Sequence, residues 1–112
     1  MERLIVIEDY TASYADPIRF APGDLVRLTG REDIWDGWRW LWAIAPDGRE
    51  GWIPDSFSLD GDDFVASEAY SAMELTCAAG EKLLGQRCLH GWVWCEGAGG
   101  SGWVPERNLR SS

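Results

Sequence analysis

The sequence predicts an all-β protein made of two small β-units in tandem. Three observations lead there: a set of landmarks that occurs twice, a series of short strand-like runs, and turn chemistry between nearly all of them. Written one above the other, residues 5–59 and 65–109 share four landmarks in the same order. "VIEDY" (Val6–Tyr10) matches "ASEAY" (Ala66–Tyr70), and "FAPGDLV" (Phe20–Val26) matches "CAAGEKL" (Cys77–Leu83). "GWRWLWA" (Gly37–Ala43) matches "GWVWCEG" (Gly91–Gly97), and "GWIPDSF" (Gly51–Phe57) matches "GWVPERN" (Gly102–Asn108). The offset shrinks from 60 at Tyr10/Tyr70 to 51 at Pro54/Pro105, so every length change falls in a connection. Two copies are too few for a solenoid, which needs about three or more, so each copy must close on itself.

The elements follow in order. "RLIVIED" is apolar and β-branched, and "DLVRLTG" runs in period two to a stop at Gly30. "WRWLWAI" alternates strictly, and "DGRE" is a hairpin turn signal ahead of "GWIP". "EGAGGSG" does the same in the second copy with glycines. "ASEAYSAMEL" has helical propensity but stands opposite an extended segment in the repeat, and is read as loop. Short strands at roughly 8–12-residue intervals suggest a small barrel or sandwich. The expected division is 1–59, a linker at 60–63, and 64–112. The connection "SLDGDD" spans at most about 20 Å, at roughly 3.3–3.6 Å per residue, so the units are expected to pack closely.

The net charge of −9 is shared by both halves. Phosphate binding needs Lys and Arg to replace counterions, so nucleic acid is disfavoured. A basic or neutral partner fits the charge, as does plain solubility. No apolar run approaches the roughly 20 residues of a membrane span, and "MERLIVIEDY" lacks a signal-peptide core. A cytoplasmic location follows as the expectation. Cys77, Cys88 and Cys95 match no paired Cys-x-x-Cys spacing and read as small buried hydrophobes.

With these residues in view, "VIEDY", the "GD" turn after Phe20, the Trp-rich strand and "GWIPDSF" resemble the Src homology 3 (SH3) domain. That family opens on ALYDY, carries a tryptophan pair and ends on G-[YW]-[IV]-P-S-N-Y. "GWVWCEG…GWVPERNL" is similar to the bacterial variant form. The resemblance covers about 5–59 and 65–110. It implies tandem five-stranded SH3-like β-barrels, the second with a shortened RT loop, each offering an aromatic groove for a polyproline II peptide.

Carried over residue by residue, the resemblance implies a first groove of Tyr10, Trp38, Pro54 and Phe57. Glu8 stands where the first ALYDY tyrosine would be. The usual acidic position falls at Pro17, with Asp16 beside it and Glu32, Asp33 and Asp36 across the n-Src loop. A second, weaker groove would use Tyr70, Glu74, Trp92 and Pro105, with Glu68 and Asn108 replacing two tyrosines. Flat rings receive the proline ridges, an indole N–H donates to ligand carbonyls, and carboxylates hold a flanking base. All of these residues could equally complete small barrels.

Alternation sorts the tryptophans further. Trp38, Trp40 and Trp42 share one face, opposite Arg39 and Leu41; Trp92 and Trp94 share a face with Glu96, opposite Val93 and Cys95. Leu41, Val93 and Cys95 are then core-side, and Trp52 and Trp103 are expected to be packed beside the grooves. Trp40 and Trp94 are the candidates for a joint between units or within a homodimer. Trp35 and Trp42 stay as flanking contacts.

Catalysis is not expected. His90 is the only histidine and sits in a loop; the cysteines lack a His partner, and "GAGGSG" lacks the Lys of a phosphate loop. No metal-loop spacing and no cofactor motif occurs, so metal and cofactor are both read as none. The functional reading is a non-catalytic protein- or peptide-binding adaptor for a proline-rich or basic ligand. One alternative is a structural or assembly module whose exposed tryptophans make inter-unit or dimer contacts. Another is a cation or modified-lysine binder using a Trp/acid cage. Monomer and homodimer both remain open.

Overall fold

The computed structural model describes all 112 residues, Met1–Ser112. Eleven short strands alternate with turns: β1 (Glu2–Val6), β2 (Arg19–Phe20), β3 (Leu25–Trp35), β4 (Trp38–Ile44), β5 (Glu50–Pro54), β6 (Phe64–Val65), β7 (Tyr70–Ser71), β8 (Lys82–Leu89), β9 (Trp92–Gly97), β10 (Gly100–Pro105) and β11 (Leu109–Ser111). Single 3-10 turns follow β5 (Asp55–Phe57) and β10 (Glu106–Asn108). The all-β class is as expected, and the "ASEAYSAMEL" stretch holds a short strand and bends rather than a helix.

The chain divides into two compact units, but not in sequential order. One is continuous, Asp16–Ala72; the other is split, Met1–Ala15 together with Met73–Ser112. The expected boundary at 60–63 therefore falls inside the continuous unit. The register explains the difference. β1 pairs with β8 and β11 (Ile5 opposite Lys82, Val6 opposite Leu109), and Tyr10 bridges to Cys77. β6 and β7 take the matching places on β3 and β2, with Val65 opposite Leu25 and Tyr70 opposite Phe20. These are equivalent pairings of the repeat with the opening strands exchanged between copies.

Both copies carry the same apolar pattern, so pairing specificity alone does not choose between sequential and exchanged arrangements. The turn after Phe57 does. Ser58 Oγ donates to the Asp62 carbonyl (2.6 Å) with Asp60 Oδ1 3.1 Å away, and Asp63 Oδ1 accepts from Leu28 N (2.8 Å). The chain reverses at once and lays Phe64 and Val65 on the nearest strand, β3. A short loop closes at less entropic cost than the long return from β1.

The β3–β4 and β8–β9 hairpins turn on Asp36–Gly37 (φ 53° and 79°) and His90–Gly91 (φ 50° and 81°). Positive φ at both central residues is the two-residue turn whose twist matches that of the strands. In the split unit the sheet order is β10-β9-β8-β1-β11, and its core is Leu4, Val6, Leu75, Cys77, Leu83, Val93, Cys95, Val104 and Leu109. The continuous unit has a sheet in the order β5-β4-β3-β6 and a second pair, β2-β7. Val26, Leu41, Ala43 and Ile53 are buried there. Beside them Phe20, Phe57, Phe64 and Tyr70 form an aromatic cluster, with Phe57 and Phe64 stacked at 6.3 Å and Tyr70 edge-on to Phe57 at 5.2 Å. Each unit is small enough that rings supply much of its buried apolar area.

Candidate functional site

Strand exchange redistributes the expected groove residues. In the split unit, where Trp92 opposes Pro105, Tyr10 meets Glu74 and Trp92. Its ring stands edge-on to Trp92 at 5.6 Å, and its hydroxyl donates to Glu74 Oε1 at 2.6 Å. Ser13 N donates to the same oxygen at 2.8 Å, so the carboxylate intended for a ligand base already accepts two hydrogen bonds from its own unit. Asn108 is buried, and its Nδ2 donates to the Glu8 and Asp9 carbonyls at 3.1 and 3.2 Å. A polar side chain at the repeat position of Phe57 thus anchors the opening loop.

In the continuous unit Tyr70, not Tyr10, packs against Phe57. Tyr70 is 8% exposed and its hydroxyl donates to the Trp52 carbonyl at 3.3 Å. The register also places Trp40, not Trp38, across from Pro54. Trp38 lies opposite Trp35 at the hairpin tip, two positions further out, and is 44% exposed. The β3–β4 arm is longer than its β8–β9 counterpart, in which Trp92, the first residue after the turn, opposes Pro105 directly. Counting forward from the turn selects Trp38; counting back from the proline selects Trp40. Only the second count follows the sheet.

Asp33 opposes Trp40 on its other side. Opposed residues of antiparallel strands share a face with Cβ atoms about 4.5–5.5 Å apart. A row Asp33–Trp40–Pro54 therefore runs across β3, β4 and β5. The corresponding row of the split unit is Leu89–Trp92–Pro105, apolar where the other is acidic. Both rows are closed in this structure: Pro54 and Pro105 are under 2% exposed, and the indole nitrogens of Trp40 and Trp92 are buried. Among the remaining acids, Asp16 accepts from Arg49 Nε at 2.9 Å and Glu32 pairs with Arg39. Asp33 Oδ1 accepts from the adjacent Ile34 N at 2.9 Å on an exposed strand.

A second row lies beside the first. Trp42 and Trp52 are opposed, edge-on at 5.0 Å, and Arg31 lies over both rings. Neither Arg31 nor Glu50, which accepts from Trp42 Nε1 at 2.8 Å, is singled out by the sequence. Only a register from which to count would have shown them. Trp94 stands edge-on to Trp103 at 5.3 Å in the split unit, so Trp40 and Trp94, the expected joint residues, each have neighbours in their own sheet.

The thiols are not poised for nucleophilic chemistry. Burial pushes Cys95 up to about 11. Burial, then the charges of Glu81 and Asp9, raises Cys77; burial, then Glu106 and Glu2, raises Cys88. A reactive thiol needs the opposite shift. No group of three or more His, Cys, Asp or Glu side chains is placed to hold a metal, and no helix is long and apolar enough to cross a membrane.

Residues 3–57 match the family model described as the variant SH3 domain, and the match does not extend into the second repeat. SH3-type domains are typically non-enzymatic binding modules. No curated protein and no solved structure matches the chain. The matched stretch is continuous in sequence yet contributes to both units, since its first strand belongs to the split one.

Proposed function

We propose that this chain is a non-catalytic peptide-binding module that takes a basic, proline-rich segment of a protein partner on the continuous unit. The observation that carries this reading is the Asp33–Trp40–Pro54 row, an exposed carboxylate aligned with an indole and a proline on one sheet face. An extended ligand would lay its ridges against the rings and its Arg or Lys toward Asp33. The split unit is the weaker binder, because Leu89 replaces the acid and Tyr10 and Ser13 already occupy Glu74. The free thiols of Cys77, Cys88 and Cys95 fit a cytoplasmic setting for the module.

Because Pro54 and the Trp40 indole nitrogen are buried, the ligand binds a minor, opened state. Apparent affinity then falls by the open fraction: a row open about 1% of the time binds roughly a hundredfold more weakly than its intrinsic affinity. Titrating an arginine-containing proline-rich peptide while following tryptophan fluorescence tests this. Binding should weaken by about tenfold or more in W40A, the range of an aromatic hot spot, and change little in W38A. The same burial favours a second reading, a structural or assembly role for these tryptophans. A silent titration together with a concentration-dependent mass would select it.

A further inference from the structure

Arg31 belongs to an irregular stretch of β3, where the pairing jumps from Leu28–Ala43 to Glu32–Leu41. Gly30 takes φ +87° there, a left-handed conformation that glycine adopts without strain. Thr29 Oγ1 donates to the Trp42 carbonyl (3.2 Å) and accepts from Arg31 N (3.2 Å), which fixes the bulge against β4. The bulge directs the Arg31 side chain over the sheet, where its Cζ lies 4.8 Å from the Trp42 ring centroid and 4.9 Å from that of Trp52. The rings are 5.0 Å apart and inclined at 81°. The cation thus sits nearly equidistant from two perpendicular indoles, and the Glu50 carboxylate is held at the edge by Trp42 Nε1.

We propose that Trp42, Trp52 and Glu50 form a binding site for a methylated or quaternary ammonium group, with Arg31 as an internal stand-in for that cation in the free protein. The inference concerns a different row from the peptide reading above and does not rest on it. Shape decides the ligand class. A planar guanidinium can lie flat on only one of two perpendicular rings, whereas a round methylated ammonium presents the same surface to both. Methylation also weakens hydration, so such a head gives up less on entering the corner than a lysine ammonium does. The carboxylate supplies the counter-charge.

The other repeat points the same way by contrast. Trp94 and Trp103 keep the edge-on geometry and Glu96, opposite Ser101, lies on their face, but Trp103 is only 7% exposed, so its ring is covered. Trp42 and Trp52 are both only partly buried, and Arg31 is exposed above them. The site is therefore a property of the continuous unit.

Tetramethylammonium chloride, titrated against sodium chloride at equal ionic strength, tests the proposal on the full chain. The readouts are tryptophan fluorescence and the Trp42 indole N–H resonance. Removing the stand-in should tighten binding, so R31A should respond at least tenfold more tightly than the parent protein. R31A/E50Q should lose at least threefold of that gain, and R31A/W52L all of it. R31Q, which keeps most of the side-chain stem, serves the same comparison if R31A does not give a cooperative melt. Choline and N-acetyl-trimethyllysine methylamide then separate a free head group from a modified peptide, and tighter binding of either supports the site. Equal responses to the two salts in R31A or R31Q, or no gain over the parent protein, would overturn it.

Discussion

The phenol of Tyr10 and the carboxylate of Glu74 meet at 2.6 Å across 64 positions of chain, and this bond ties the first fifteen residues to the second repeat. A hydrogen bond to a charged acceptor contributes about 1.5–3 kcal/mol when buried, and less here because the pair is only part-buried. Y10F should cost about 1–2 kcal/mol, or roughly 4–8 °C in melting temperature per kcal/mol for a unit of this size. Burial, reinforced by the bond to Glu74 and its charge, raises the Tyr10 pKa above its ordinary value of 10.0. Below about pH 10 both folded and unfolded states keep the proton and the contribution is fully present. As pH rises further the unfolded state releases it first, and stability falls. Chemical denaturation between pH 8 and 11 should show a steeper decline for the parent protein than for Y10F.

The exchange of opening strands predicts which fragment folds better. A chain of residues 16–72 contains the whole continuous unit, including Phe64 and Tyr70. A chain of residues 1–59 must instead place Leu4 and Tyr10 in those positions, trading a ring of the aromatic cluster for a smaller side chain. The 16–72 fragment should unfold cooperatively and be the more stable by about 1–3 kcal/mol, in the range of large-to-small core changes. Equal denaturation midpoints would show that the cluster contributes nothing.

Gly102 and Gly51 open the "GWVP" and "GWIP" segments for a steric reason. A Cβ on Gly102 would lie 2.7 Å from Glu74 C and Leu75 N, backbone atoms fixed by the bonds Trp103 N to Met73 O (2.9 Å) and Leu75 N to Trp103 O (3.0 Å). On Gly51 the nearest atoms are Ile18 Cγ2 at 2.9 Å and Ile18 N at 3.1 Å, contacts longer than those at Gly102. G102A should therefore destabilise by about 2–3 kcal/mol, and G51A by less, on the scale of an overpacked core. Thermal melts of the two variants give the order directly.

Thiol labelling separates the cysteines. Cys88 is exposed and should react first, but sluggishly at pH 7 because its pKa is raised; Cys77 and Cys95 should stay protected until unfolding. The folded Cys95 thiol, moved from 9.0 to about 11, adds a stability component that is full below pH 9 and lost as pH climbs toward 11. C95A should flatten the part of the alkaline decline that survives in Y10F.

The two neighbouring acids of β3 should behave differently. Glu32 is held by Arg39 in an exposed, solvent-screened pair, a kind of contact that adds little to stability. E32Q should leave both stability and peptide affinity nearly unchanged. D33N removes the carboxylate of the Trp40 row, so it should weaken an arginine-bearing peptide several-fold and reduce the salt dependence of its binding.

The period-two alternation of "WRWLWAI" and the turn signal of "DGRE" after it were readable because local sterics dictate them. The core assignment of Leu41, Val93 and Cys95 follows from the same alternation. Partner choice was not readable. Ile5 and Val65 are interchangeable to Leu25 and Lys82 as far as pattern goes, and the decision lies in the side-chain bonds of Ser58 and Asp63. Trp38 and Trp40 share a face, so alternation cannot separate them. Only the extra length of the β3–β4 arm, visible once its register is known, assigns Trp40 to Pro54.

During synthesis, the split unit imposes a wait. The segment "RLIVI" leaves the ribosome early, yet its partners β8 and β11 are made only after the entire continuous unit. At about 5–20 residues per second, the chain from Met73 to Ser112 takes roughly 2–8 s to emerge. Throughout that interval an apolar β-strand has no native partner of its own, while a closed neighbour is already complete. A released chain of residues 1–75 should show a protease-resistant 16–72 body with a cleavable leading segment. That segment is the natural target for a chaperone or for another nascent copy of the same chain.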